Sequence, residues 1–262
     1  MYSGVASAAH EPARGCPMKL SVNVNKIALL RNSRGHDAPN VLSFARKIVD
    51  YGAHGITIHP RADRRHITPD DARAVTRHIT TVETNFEGDL REEFLDLTLE
   101  LRPTQCTLVP VTPGELTSHR GWDVAKWRFV LQPVVKRLKE EGIRTSLFVE
   151  ADPAVVPLVA EMGADRIEIY TGPYAQAFDR GEHRAELDKI VATVRAAVAA
   201  GVGINAGHDL TVENLAPLVR EAPQIQEVSI GHHLVAHALE VGMKQSVRDY
   251  LAAVEGRPAP AP

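Results

Sequence analysis

Eight times along the chain a short apolar run gives way to a stretch with helical spacing, and this repeat limits the fold more than any single motif does. The strand-like runs fall at residues 20–24, 55–58, 82–86, 105–109, 143–149, 165–169, 202–205 and 226–230. Helical spacing follows most of them, from Val41 to Tyr51, Asp70 to Ile79, Leu90 to Leu101, Val124 to Glu141, Pro153 to Met162, Glu182 to Ala200 and Val212 to Glu221. Gly52, Gly142, Gly163 and Gly201 stand where a helix must stop and turn into the next strand. Eight such units predict an α/β protein, a single-domain (β/α)8 TIM barrel over residues 19–256. Residues 1–18 are expected to form a short flexible tail, and the Pro/Ala-rich residues 257–262 a second one. Strands 1 and 5 alternate, whereas others are more continuously apolar, which fits strands covered by helices outside and packed inside. A doubly wound open sheet is the competing arrangement, but no G-x-G-x-x-G follows the first strand.

Composition excludes several classes. A chain of 262 residues with 44% hydrophobic content can bury one large core, and a net charge of −3 argues against general nucleic-acid binding. No apolar run approaches the ~18 residues needed to span a bilayer. The first eighteen residues carry Glu11, Arg14 and two prolines without an apolar stretch, so they do not read as a secretory signal and a cytoplasmic location is expected. Cys16 and Cys106 suggest neither a disulfide framework nor a zinc-ligand pattern.

A barrel of this kind places its chemistry just past the carboxyl ends of its strands. Polar groups gather there. The segment Gly55–Ile67, GITIHPRADRRHI, runs from an alternating strand into His59, Arg61, Arg64, Arg65 and His66. Guanidiniums supply forked donors for phosphate oxygens and imidazole moves protons near neutral pH, so this loop suits a phosphorylated substrate undergoing acid–base chemistry. Strand 1 leads into Asn23, Asn25 and Lys26, with Arg31 and Arg34 expected in the following loop. Strand 3 ends at Glu87, strand 4 is followed by Thr112 and Thr117, and strand 6 ends at Glu168, Tyr170 and Thr171. Strand 7 ends in Asn205-Ala206-Gly207-His208, and strand 8 in Gly231-His232-His233. Any one of these residues is more simply a hydrogen-bonded or solvated structural group; seven coincident strand ends are harder to dismiss.

The strings NVNKIALLRNSRG, GITIHPRADRRHI, NFEG, IEIYTG, NAGHDLT and SIGHHLV, in this order and at these intervals, closely resemble the pyridoxine 5'-phosphate synthase family from about Lys19 to the last helix. The resemblance implies a (β/α)8 barrel assembled as a homo-octamer of four dimers. It also implies a reaction that condenses 3-amino-2-oxopropyl phosphate with 1-deoxy-D-xylulose 5-phosphate, releasing pyridoxine 5'-phosphate, inorganic phosphate and water. Such a ring closure moves protons but no net electrons, so no nicotinamide or flavin cofactor and no metal is expected. By similarity, Glu87 is a general base and then acid, His59 shuttles protons around the imine and enol steps, His208 assists loss of phosphate, and Glu168 stabilises the transition state. The sugar phosphate site falls on Arg61, His66 and Thr117, with Asn25 and Lys26. The second anion site falls on Asn23, Arg34, Asp209, Gly231 and His232, where the N–H groups opening the last helix favour phosphate. For Arg64 and Arg65 a structural role is expected, one or both pairing with acids such as Asp63 or Asp70.

Two positions depart from the family's pattern. Many members carry Asp-His where this chain has Asn25-Lys26, making the sugar site more positive here. Position 209 is often glycine and is Asp here, so a contact to phosphate would come through its backbone. Three other functions compete: a metal-dependent hydrolase, for which strand 1 lacks the usual His-x-His pair; a Schiff-base aldolase using Lys26; and a catalytically silent sugar-phosphate-binding barrel, against which Glu87, His59 and His208 together argue.

Overall fold

A computed structural model of the chain describes residues 17–111 and 120–257. Eight parallel strands, β1 (Lys19–Asn23), β2 (Gly55–Ile58), β3 (Glu83–Gly88), β4 (Gln105–Leu108), β5 (Arg144–Val149), β6 (Arg166–Tyr170), β7 (Gly203–Gly207) and β8 (Glu227–Ile230), close in sequence order, with β8 pairing back onto β1. Around them lie α1 (Asn25–Asn32), α2 (Val41–Asp50), α3 (Pro69–His78), α4 (Glu92–Leu101), α5 (Val124–Glu140), α6 (Val155–Met162), α7 (Gly172–Asp179), α8 (Arg184–Ala199), α9 (Val212–Glu221), α10 (His232–Val241) and α11 (Met243–Val254). The predicted barrel is present, and the four glycines expected at helix ends all take positive φ, from +69° to +110°. No helix among the described residues is long and apolar enough to cross a membrane.

Two short helices depart from the expectation. The segment after β1, read as a loop, is α1, and it carries Arg31 away from the loop role expected for it. The Arg31 guanidinium forks onto Asp71, with Nη1 at 2.5 Å from Oδ1 and Nη2 at 2.8 Å from Oδ2. Only Ile27 and Ala28 of its eight residues are buried, too few to show a helical period in the sequence. The second, α7, is equally short and opens with Pro173. Met18, expected in the tail, is buried against the core.

The strands bury their two faces in different ways. Leu20, Val22, Ile56, Ile58, Phe86, Leu108, Leu147, Ile167, Ile204 and Val228 point outward into a continuous apolar layer beneath the helices. Each such fully buried side chain contributes about 1.5–3 kcal/mol, so this layer holds the barrel closed. The lumen, expected to be packed with apolar groups like the strands' outer faces, is polar instead. Side chains on strands that are not neighbours meet across it: Gln105 of β4 bonds Asn205 of β7 at 3.3 Å and Glu227 of β8 at 3.4 Å, and Thr107 of β4 approaches Glu168 of β6 at 3.4 Å. Buried polar groups need partners, and the lower lumen supplies them. The Glu83 carboxylate binds both Lys19 and Arg144, Arg144 Nε donates to Gln105 at 2.8 Å, and Arg166 donates to Asn205 at 2.8 Å. Burial opposes ionisation of Glu83, but Arg144 and Lys19 outweigh it and hold the carboxyl at about 2.

Candidate active site

The polar column ends at the barrel mouth in two buried carboxylic acids. Glu87, next to last in β3, receives Asn23 Nδ2 on one oxygen at 3.1 Å and Ser229 Oγ on the other at 3.3 Å. Burial raises its pKa to about 7, against the two hydrogen bonds and with help from the nearby Glu227 charge. Glu168, at 1% exposure, is raised well above the carboxylate range by burial first and then by Glu87 and Glu227. Burial and the neighbouring carboxylates thus favour the protonated form of Glu168, whereas Glu87 is poised to take and return a proton. The tight fit of Glu168 depends on Gly207, where a Cβ would stand 2.7 Å from Glu168 Oε1.

His59 follows β2 directly. Its backbone N–H donates to Asn25 Oδ1 at 2.9 Å, and the Asn25 N–H donates in turn to Asn23 Oδ1 at 3.0 Å, so the end of β1 fixes the end of β2. The imidazole is buried, its Nε2 has no hydrogen-bond partner among the described residues, and its ring centre lies 5.9 Å from that of His66. Burial, with the charges of His66, Arg61, Arg91 and His208, drives its pKa well below the ordinary value. A neutral ring with an available nitrogen is a proton acceptor. His66 is also neutral, pushed to about 4 by burial and by Arg61. Its Nδ1 accepts the Ile67 N–H at 2.9 Å, which leaves the proton on Nε2 as a donor.

Around these groups stand the cations. Arg61 is almost fully buried beside Asp63, which also takes Arg65 at 2.6 Å; Arg65 thus pairs with an acid as expected. Lys26, at the start of α1, is close enough to depress both His66 and His232, so its charge reaches both predicted anion sites. Gly231 caps α10 without a side chain, and a Cβ there would meet the Asn23 side chain at 3.1 Å. His232 begins that helix. Asp209 occupies left-handed backbone at φ +56°, the geometry that favours glycine, and its carboxylate lies 3.8 Å from His233 Nε2. His208 precedes it at φ +83° and packs its ring on Phe148 and Tyr170. Arg34 is exposed in the loop after α1, and Thr112 and Thr117 lie outside the described residues.

Residues not expected at the site also serve it. Ser229 and Glu227 share the inward phase of β8 with Gly231, and that two-residue period was the signal available for them. Arg91 reaches from the start of α4 to the Pro60 carbonyl at 3.0 Å while bound to Asp89 at 2.6 Å, bracing the loop that carries His59.

A closed barrel whose mouth combines two buried carboxyls with raised pKa values, a neutral buried imidazole and a cluster of cations fits an acid–base enzyme of the (β/α)8 class acting on phosphorylated small molecules. Solved barrels share the architecture at low identity. The α-subunit of tryptophan synthase from Pyrococcus furiosus superposes with a TM-score of 0.60 at 13% identity, over 92% of this chain and 98% of that one. Phosphoribosylanthranilate isomerase from Thermotoga maritima gives 0.55 at 13%, over 91% and 99%. Sequence comparison is more specific. Residues 20–256 match the family model described as pyridoxal phosphate biosynthesis protein PdxJ, and the chain belongs to that family. Proteins named pyridoxine 5'-phosphate synthase from Leptospira biflexa serovar Patoc and Xanthomonas campestris pv. campestris are each 47% identical to it, covering 89% and 90% of this chain and 95% and 96% of their own lengths. One from Chelativorans sp. is 46% identical over 91% of this chain and 99% of its own length.

Proposed function

We propose that the chain is a pyridoxine 5'-phosphate synthase, condensing 3-amino-2-oxopropyl phosphate with 1-deoxy-D-xylulose 5-phosphate into the pyridine ring. The observation that carries this reading is the pairing of two buried carboxyls, Glu87 and Glu168, at the mouth of a barrel of this family, both pushed toward the protonated form by burial. Successive dehydrations and carbon–carbon closure need one group that changes state each cycle and another that donates steadily. Glu87 takes the first role and Glu168 the second. His59, neutral and with Nε2 unpartnered, relays protons during imine and enol steps, and His208 assists loss of phosphate. Arg61, His66, Thr117, Asn25 and Lys26 hold the sugar phosphate. Asn23, Arg34, the backbone of Asp209, Gly231 and His232 hold the other.

The enzyme works in the cytoplasm as a homo-octamer. Trp127 and Val130, exposed three residues apart on one face of α5, support self-association, since neighbouring exposed apolar groups mark protein contact sites. Light scattering after size exclusion tests the assembly. The activity is tested by mixing purified protein with both substrates and following pyridoxine 5'-phosphate by absorbance and mass; correctly folded protein giving no product overturns it.

A further inference from the structure

Two consecutive residues other than glycine in left-handed backbone make the His208–Asp209 turn costly, and such a turn persists only where its surroundings enforce it. The groups that enforce it are Thr171, between β6 and α7, and Asn214 of α9. Thr171 stands where α7 begins, a position from which a threonine hydroxyl normally caps its own helix, yet it makes no such bond. Its Oγ1 lies instead 2.6 Å from the Gly207 carbonyl and 2.5 Å from that of His208, sharing one proton between them, and its N–H donates to Gly207 at 2.9 Å. Asn214 holds the far side, donating to the Asp209 carbonyl at 3.2 Å. With the backbone fixed on both sides of its Cα, the His208 ring rests 4.8 Å from the Phe148 centroid and 5.4 Å, edge-on, from that of Tyr170. Phe148 and Tyr170 form with Val109 a small apolar cluster separate from the main core, at the mouth of an otherwise polar lumen.

We infer that Thr171 is a positioning residue for His208: it gives up its helix cap to clamp the carbonyls of Gly207 and His208, and so aims the imidazole from the Phe148–Tyr170 wall into the site. Thr171 is fully buried and acts only through the turn.

The inference rests on the role proposed for His208, and the test separates the two. Thr171→Val keeps the side chain's shape and removes the hydroxyl; Thr171→Ser keeps the hydroxyl. Misplacing one catalytic group by about an ångström costs up to roughly 100-fold, so Thr171→Val should lower kcat by roughly 10- to 100-fold with both KM values within about two-fold of wild type, and Thr171→Ser should restore most of it. In a single turnover Thr171→Val should accumulate the same joined intermediate as His208→Ala. A normal kcat in Thr171→Val, a loss that Ser does not restore, or accumulation in His208→Ala alone overturns the inference. If His208→Ala accumulates nothing, the role of His208 falls, and the crystal structure of Thr171→Val decides for Thr171 alone: a turn and ring left unmoved overturns the inference, and a ring drawn away from Phe148 upholds it. Should Thr171→Val not fold, Thr171→Ala replaces it and is read in the same way: the His208→Ala intermediate, or a ring drawn away from Phe148, upholds the inference, and a normal kcat with turn and ring unmoved overturns it.

Discussion

Gly207 of β7 pairs in register with Tyr170, two residues beyond Glu168 on β6, and lies so close to the Glu168 side chain that a single added methyl would stand 2.7 Å from its Oε1. Glu168 has no free space into which to retreat, because it is buried at 1% exposure with Thr107 at its other oxygen. Gly207→Ala should therefore displace the donor and lower kcat by roughly 100-fold, while the outer apolar layer keeps the barrel folded. Steady-state rates alongside circular dichroism check this; unchanged kcat would remove Glu168 from the chemistry.

Glu87→Gln separates activity from stability. Turnover should fall by roughly two to four orders of magnitude, since an amide cannot take the proton. The folded carboxyl titrates near 7, above its ordinary 4.5, so the native state holds a proton that the unfolded chain releases between those values. The stability this supplies is complete below 4.5 and lost as pH rises through 7. Gln does not titrate, so above pH 8 the variant should escape a penalty of about 3 kcal/mol. Melting curves at pH 5 and pH 9 check it: the drop in Tm between them should shrink in the variant.

The two histidines near the sugar phosphate site act in the opposite direction. His59 and His66 have folded pKa values below 6.5, so the unfolded chain binds more protons as the medium turns acidic. Their contribution is complete above pH 6.5 and is lost as pH falls toward the folded values. His66→Gln should flatten the fall in Tm between pH 7 and pH 5 while raising KM for the sugar phosphate. An unchanged acid limb would show that His66 is not held neutral.

Lys26→Met should weaken both substrates, since the ammonium influences His66 and His232 together. The KM for each phosphorylated substrate should rise several-fold, by about 1 kcal/mol of lost attraction, and the wild-type advantage should shrink as salt increases. An effect confined to 1-deoxy-D-xylulose 5-phosphate would restrict Lys26 to the sugar site.

Asp209→Gly removes a side chain from φ +56° and a carboxylate from the rim of the second anion site. Glycine adopts this backbone freely but loses more entropy on folding, so Tm should move little. The KM for 3-amino-2-oxopropyl phosphate should fall, because a negative charge near its phosphate is gone. A raised KM would mean that the carboxylate holds His233 in a useful position.

The barrel and its strand-end chemistry were legible in the sequence because both rest on short-range patterns. Apolar runs with glycine stops located all eight strands, Glu87 and His59 lay next to strand ends, and Glu168 two residues short of one. The lumen was harder to read. Contacts such as Gln105 to Glu227 join residues 122 apart in sequence, and nothing local marks them as partners. The helix α1 was hidden for a different reason: it buries only two side chains, so the period that announces α2 is missing, and Arg31 looked like a loop cation when it is a structural partner of Asp71.

The polar lumen divides labour within the fold. Apolar cohesion comes from the layer outside the strands, so the column inside can be rewritten wherever the new side chains keep each other's hydrogen bonds satisfied. Replacing Ser21 and Thr57, which share a 2.7 Å hydrogen bond deep in the column, by a pair of similar size alters the electrostatic environment beneath Glu87 and leaves the outer layer intact. In such a barrel the strand ring walls the tuned acids off from the apolar layer, and what still ties their acidity to folding is the proton linkage itself.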